Sequence, residues 1–170
     1  MNPTLRYVTR TAVLLAIALV FQYVKLPPPF GQILTGSVVN ALLIIAVAYV
    51  GITSGITIGL LTPIFAFALG VMGFPFLIPV IIAANLLLVI VFYYARRFNN
   101  YAAIVIAAIA KFLIFYGSVN FILASKIANL PAKAAQAIAL GFGPLQLLTA
   151  IIGGLIAAFI ISKYNINNEN

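Results

Sequence analysis

The chain has 170 residues, of which 65% are hydrophobic and 6% charged, with a mean hydropathy of +1.25. An average soluble domain is roughly 45–50% apolar and about 25% charged, and one this small could not hide so much apolar side chain beneath a polar exterior. The net charge of +8 comes from nine Lys and Arg against one acid, Glu169. These cations stand mostly singly at the ends of apolar runs, with no basic stripe and no interleaved aromatics. They therefore read as membrane topology determinants and not as a nucleic-acid surface.

Lipid is the solvent that tolerates such a composition, and the length leaves room for about six spans of about 20 residues each. Arg6 and Arg10 precede an apolar run too long for a signal-peptide core, so this run is read as a retained first helix. Span one covers Leu5 to Val24 and ends at Lys25 and the triplet Pro27-Pro28-Pro29, since proline stops a helix. Phe30 to Leu34 is read as the rest of a loop. Span two, Thr35 to Val50, is only about 24 Å long at about 1.5 Å per residue. Gly51 and Thr53-Ser54 make a turn. Span three, Gly55 to Leu69, carries Thr62-Pro63, where a kink is expected. Gly70 to Pro75 is a loop. Span four runs from Phe76 to Tyr94 and stops at Arg96-Arg97. After Asn99-Asn100, span five covers Tyr101 to Ala124. Ser125 to Phe142 is less apolar, and its Ala-rich part suits a short interfacial helix. Span six covers Gly143 to Tyr164, making residues 1–164 a single domain, and 165–170 is a polar tail expected to be disordered. No run shows the alternation of a barrel strand. The expected fold is thus an all-α integral membrane bundle of six helices.

With both termini cytoplasmic, the inner side would carry Arg6, Arg10, Arg96, Arg97 and Lys163, and the outer side Lys25, Lys126 and Lys133. That bias, with the shorter inner loops, favours this orientation.

His, Cys and Asp are absent, and the only Glu is in the tail. Ser–His dyads, carboxylate pairs and His/Glu metal clusters cannot be assembled, and no phosphate-binding Gly-x-x-x-x-Gly-Lys loop occurs. The expectation is a non-enzyme with no resident metal or cofactor. An intramembrane proton relay of Asp, Glu or His is missing too.

Small residues recur at four-residue spacing, as Ala12-x-x-x-Ala16 in span one and as Gly51, Gly55 and Gly59 leading into span three. Such spacing lets another helix approach closely. For the glycines, packing within the bundle is the simpler reading. For the alanines, both packing and a docking partner remain open.

Polar residues inside spans are few: Asn40, Thr62, Asn85, Lys111, Tyr116, Ser118, Asn120, Gln146 and Thr149. In the orientation above, Asn40, Asn85 and Gln146 sit about 5–10 Å below the outer surface, and Tyr116 and Asn120 are neighbours one turn apart. Residues of four helices thus converge on one depth, as an outward-opening pocket would need. Simple interhelical hydrogen bonding, at about 0.6 kcal/mol each, is the alternative. Lys111 lies near the bilayer centre, where a lysine costs about 2.5–3.5 kcal/mol on insertion scales, and no span holds an acid to pair with it. It can snorkel to the inner face, lose its proton, be solvated by backbone carbonyls and water, or meet an anionic ligand such as a carboxylate or phosphate at the base of the pocket.

In size, six spans and small-residue first helix the chain resembles the substrate-binding (S) component of the energy-coupling factor (ECF) importers, a family of vitamin transporters. The resemblance extends through Leu34-Thr35-Gly36-Ser37-Val38-Val39-Asn40-Ala41, Gly59-Leu60-Leu61-Thr62-Pro63, Ala110-Lys111-Phe112 and Gly143-Pro144-Leu145-Gln146. It implies a multi-pass protein of the prokaryotic plasma membrane that captures a vitamin-like solute from outside near the ends of helices four to six. It also implies lids in the loops around Pro29 and Phe30 and around Phe74. Ala12 and Ala16 would face a transmembrane coupling subunit served by two ATPase subunits. With no acids to hold a cation and with Lys111 present, a carboxylate-bearing vitamin (pantothenate, biotin, niacin or lipoate) is the expected substrate class. A self-sufficient channel or facilitator, which would pass solute without ATPases, and a non-transport scaffold, which would bind none, are the competing readings.

Overall fold

The structure, a computed structural model, describes residues 2–24, 26–27, 29–125 and 130–168, with side chains through Lys163. The outer-side cations Lys25 and Lys126, Pro28 of the proline triplet, and Glu169-Asn170 of the tail lie outside the described residues.

Helix α1 (Pro3–Tyr23) starts on Asn2, whose side chain accepts from the Thr4 amide at 3.0 Å, with proline at the first helical position. Both choices suit an N-terminus, where backbone donors have no helical partner. Helix α2 spans Phe30–Tyr49. It begins five residues before the expected Thr35, because the prolines that end the loop also start the helix. The Gly31 amide donates to the Pro27 carbonyl at 3.2 Å and Ile33 to Pro29 at 3.0 Å, so Phe30 to Leu34 is helix and not loop. The α2–α3 turn needs Gly51 at φ +129°, a region closed to residues with a Cβ. Helix α3 (Ile52–Ala68) contains Pro63. A 3-10 turn (Pro75–Leu77) leads into α4 (Ile78–Ala95), and α5 (Asn100–Ala124) is capped by the Asn99 side chain, which accepts from the Tyr101 and Ala102 amides. The short α6 (Ala132–Gly141) is the helix suggested by the Ala-rich stretch, and α7 runs Pro144–Asn168. The chain through Asn168 is therefore helical where a disordered tail was expected from residue 165.

Five helical stretches among the described residues are long and apolar enough to cross a membrane, and α3, at 17 residues, is a shorter sixth. Helix satisfies every backbone group within the span, which is what hydrocarbon demands. Helix α2 is central and packs against α1, α3, α4 and α7, while α5 packs against α4 and α7. Helix α1 is peripheral: Thr11 and Ala18 are its buried residues.

The start of α1, the end of α2 and the late part of α7 share one face, where the Tyr49 hydroxyl donates to the Ile160 carbonyl at 3.3 Å. Arg96 joins this terminal face by donating to the Val47 carbonyl at 3.1 Å, with its guanidinium and that of Arg97 over the Tyr93 ring. Below mid-depth the interior is solid. Leu43, Val47, Ile58, Val89 and Phe92 fill it between small Ala103, Ala107 and Ala157. Gly55 and Gly59 are packing glycines: a Cβ on Gly55 would meet Val47 and Val89, and one on Gly59 would meet Asn85 and Leu43. Gly51 has open space around it and belongs to the turn alone.

Candidate functional site

Above this packed half the helices part around a cavity of about 360 Å³, near the small end of the roughly 300–1,000 Å³ range of small-molecule sites. Its walls are the last turns of α1 and α3, the first turns of α2, α4 and α7, and the middle of α5. It opens on the face away from the chain termini.

Lys111 forms the floor and is 3% exposed. Its ammonium donates to Asn40 Oδ1 at 2.6 Å and to Asn85 Oδ1 at 2.7 Å, and stands 5.7 Å from the Phe115 ring centre. Each amide is held from behind. Asn85 Nδ2 donates to the Gly59 carbonyl at 3.3 Å, and Asn40 Nδ2 to Thr149 Oγ1 at 3.4 Å, whose hydroxyl donates to the Gln146 carbonyl at 3.1 Å. Side-chain amide oxygens on α2 and α4 therefore solvate the lysine, a different set from the backbone carbonyls and water that were one of the alternatives, and it does not snorkel. An ammonium has three donors. Two go to Asn40 and Asn85, and the amides neutralise none of the charge. No carboxylate side chain exists in residues 1–168, so no acidic side chain of the chain pairs with Lys111 at the floor of the cavity.

The cavity brings together four of the six residues expected at a site: Asn40, Asn85, Lys111 and Gln146. Tyr116 and Asn120 are not part of it. Tyr116 is 54% exposed, and Asn120 donates back to the Tyr116 carbonyl at 2.7 Å. Helix geometry explains the correction. The buried stripe of α5 is Ala103, Ala107, Lys111, Phe115 and Val119. At about 100° per residue, Tyr116 lies about 140° and Asn120 about 180° around the helix from Lys111.

The residues expected in the lids do not line the cavity. Phe30 is the first residue of α2 and 69% exposed, and Pro29 is exposed in the turn before it. Phe74 packs at 5.7 Å on Phe76, beside Leu77, Val119 and Ile138. The two connections do border the cavity, but through Val24 and Leu26 in the first and Val71 and Met72 in the second. Ala12 and Ala16 are exposed on the outer side of α1.

Sequence reasoning missed Gln22 and Gln32 on the wall, the Phe115–Phe142 pair (ring centres 5.5 Å apart), and Gly153. The last had a signal in the Gly153-Gly154 doublet. A Cβ on Gly153 would run into the Ser37 carbonyl oxygen, so only glycine lets α7 lie this close to α2. That contact places Asn40 beside Thr149.

An all-helical membrane bundle with a partly polar cavity, closed at its base by packed side chains, is the design of a membrane-embedded binding protein. Residues 6–166 match the family described as ECF transporter, substrate-specific component, and the chain belongs to that family. Neither a curated protein nor a solved structure matches it. The protein is thus a transporter component and not a member of an enzyme family, and it is integral to the membrane.

Proposed function

We propose that the chain captures a carboxylate-bearing, vitamin-like solute from outside the cell and passes it to a transmembrane coupling subunit driven by two partner ATPases. The observation that carries this reading is Lys111 at the cavity floor, held by two amide oxygens and with no acidic side chain to pair with it. A carboxylate completes that set with a charge-assisted hydrogen bond, shorter and roughly twice as strong as a neutral one. The terminal face is the cytoplasmic one of a prokaryotic plasma membrane, because Arg6, Arg10, Arg96, Arg97 and Lys163 all belong to it. The cavity then opens outward.

Mass spectrometry of small molecules carried through purification of the full chain tests this directly. A stoichiometric organic acid is the expected result, and a cationic or uncharged solute would overturn the carboxylate assignment.

Ala12 and Ala16 mark the surface through which energy would arrive. They are exposed, small and one turn apart, so a second helix can lie against them. Replacing both with Leu should leave ligand affinity within about twofold, since neither residue lines the cavity. The same variant should lower uptake in cells and co-purification of a larger membrane subunit by about tenfold, as adding methylenes at a tight helix contact costs about 1–3 kcal/mol. Unchanged uptake would move the coupling surface elsewhere.

A further inference from the structure

The basic side chains at the terminal face fall into two groups. Arg96 donates to the Val47 carbonyl and lies over Tyr93, Arg97 lies over Tyr93 and Tyr94, and the Lys163 ammonium stands 5.0 Å from the Phe159 ring centre. The guanidiniums of Arg6 and Arg10, by contrast, have no hydrogen bond, ion pair or ring contact among the described residues. Both line a concavity of about 220 Å³ between the start of α1 and the end of α2, together with Tyr7, Tyr49 and Val50. Each guanidinium has five N–H donors and no acceptor, and no carboxylate side chain occurs in residues 1–168 to meet them.

The rest of the same helix face says what kind of anion fits. Arg6, Arg10, Val13 and Ile17 stand at i, i+4, i+7 and i+11, which is one stripe of a helix, and Val20 continues it. Val13, Ile17 and Val20 are 53%, 38% and 64% exposed. The stripe is thus cationic at the terminal face and apolar beyond it. From Arg10 to Val20 it runs about 15 Å at about 1.5 Å per residue, half of the roughly 30 Å hydrocarbon thickness of a bilayer. A soluble anion would use the arginines alone. An amphiphile with an anionic head and a tail one leaflet long matches both parts. The stripe also lies about 120° around α1 from Ala12 and Ala16, so a helix seated on the alanines leaves it uncovered.

We propose that Arg6 and Arg10 form the headgroup site for one anionic phospholipid of the leaflet at the terminal face. Its phosphodiester is held by the two guanidiniums, whose planar forks suit phosphate oxygens, and an acyl chain lies along Val13, Ile17 and Val20. The site is separate from the cavity and does not depend on which solute the cavity takes.

Lipid retention by the full chain tests this. Protein stripped of lipid in a mild detergent is mixed with equal amounts of phosphatidylglycerol and phosphatidylcholine of the same acyl chains, and bound lipid is counted by native mass spectrometry. The wild type should hold one phosphatidylglycerol, enriched about tenfold or more over phosphatidylcholine. Arg6→Gln with Arg10→Gln should bring that ratio close to one. Arg97→Gln with Lys163→Gln removes the same charge from the same face and should leave the ratio unchanged. Arg6→Lys with Arg10→Lys keeps the charge that orients the helix but lacks the fork, so it should fold normally and keep only part of the preference. An unchanged ratio in the Arg6 and Arg10 glutamine pair overturns the inference. An equal fall in both glutamine pairs does so too, because diffuse charge then suffices. Displacement of the lipid by excess inorganic phosphate would assign the pocket to a soluble anion. A preference that appears only in Glu169→Gln would assign the arginines to the chain's own acid. Either result overturns the lipid site.

Discussion

Lys111→Met is expected to weaken binding of a carboxylate ligand by about 100-fold or more, because truncating one partner of a buried, hydrogen-bonded charge pair costs about 2–5 kcal/mol. The bundle should survive the change. Methionine matches the length of lysine, and the variant no longer carries the cost of a charge at the bilayer centre, about 2.5–3.5 kcal/mol on insertion scales. What it loses is the pair of bonds to Asn40 and Asn85, and those amides can turn toward one another. Affinity should therefore fall far more than melting temperature. Asn85→Asp gives an independent check that keeps the lysine. It places a carboxylate 2.7 Å from the ammonium, where Asn85 Oδ1 now stands, and so supplies internally the anion that the ligand would bring. That variant should fold and bind its ligand poorly. Calorimetry on both proteins decides the matter, and wild-type affinity in Lys111→Met would remove the anion-binding role from the cavity floor.

The second large effect is expected at Gly153, through geometry alone. A Cβ there would lie 2.8 Å from the Asn40 Cβ and 2.9 Å from the Ala41 amide nitrogen, as well as against the Ser37 carbonyl oxygen. Two of those neighbours are backbone atoms and cannot swing aside, so Gly153→Ala must push α7 away from α2. Overpacking of this kind costs about 1–3 kcal/mol, and with rigid neighbours the upper half of that range applies. The melting temperature should drop by about 5–10 °C, taking about 2–4 °C per kcal/mol for a chain of this size. Ligand affinity should fall as well, since the displaced segment carries Asn40. Gly117→Ala is the control. Gly117 lies inside α5 with nothing within 4 Å of a built Cβ, and alanine in place of an interior helix glycine stabilises by up to about 1 kcal/mol. Equal melting of the Gly153 variant and the wild type would show that the two helices have slack between them.

The helices were legible because lipid imposes one requirement on every span, a long apolar run, and because the Pro27-Pro28-Pro29 triplet and the Arg96-Arg97 pair punctuate those runs. The faces of the helices were less legible. In a soluble helix polarity marks the outward side, but α5 is apolar all round, and its outward side carries Val105, Ile109 and Leu113 as readily as its inward side carries Ile104 and Phe115. Tyr116 and Asn120 looked like pocket residues because they are polar, yet their angle from Lys111 turns them outward. Lys111, the one side chain whose burial demands partners, was the reliable compass. Counting four-residue steps from it recovers Ala107, Ala103, Phe115 and Val119. Gln22 and Gln32 escaped notice because they lie near helix ends, where polar residues are ordinary. Only the fold shows that α1 ends and α2 begins over the cavity.

The packed half beneath Lys111 bears on the energetics of the whole cell. A cavity that ran on to the terminal face would give ions a wet route through the bilayer, and moving one elementary charge across a membrane potential is worth about 2.3 kcal/mol per 100 mV. Leu43, Val47, Val89 and Phe92, buried together in that half, leave no such route. The protein can thus reside in the membrane without a partner and still act as an electrical insulator. Its abundance can follow demand for the solute while the ion gradients on which the cell depends stay undisturbed.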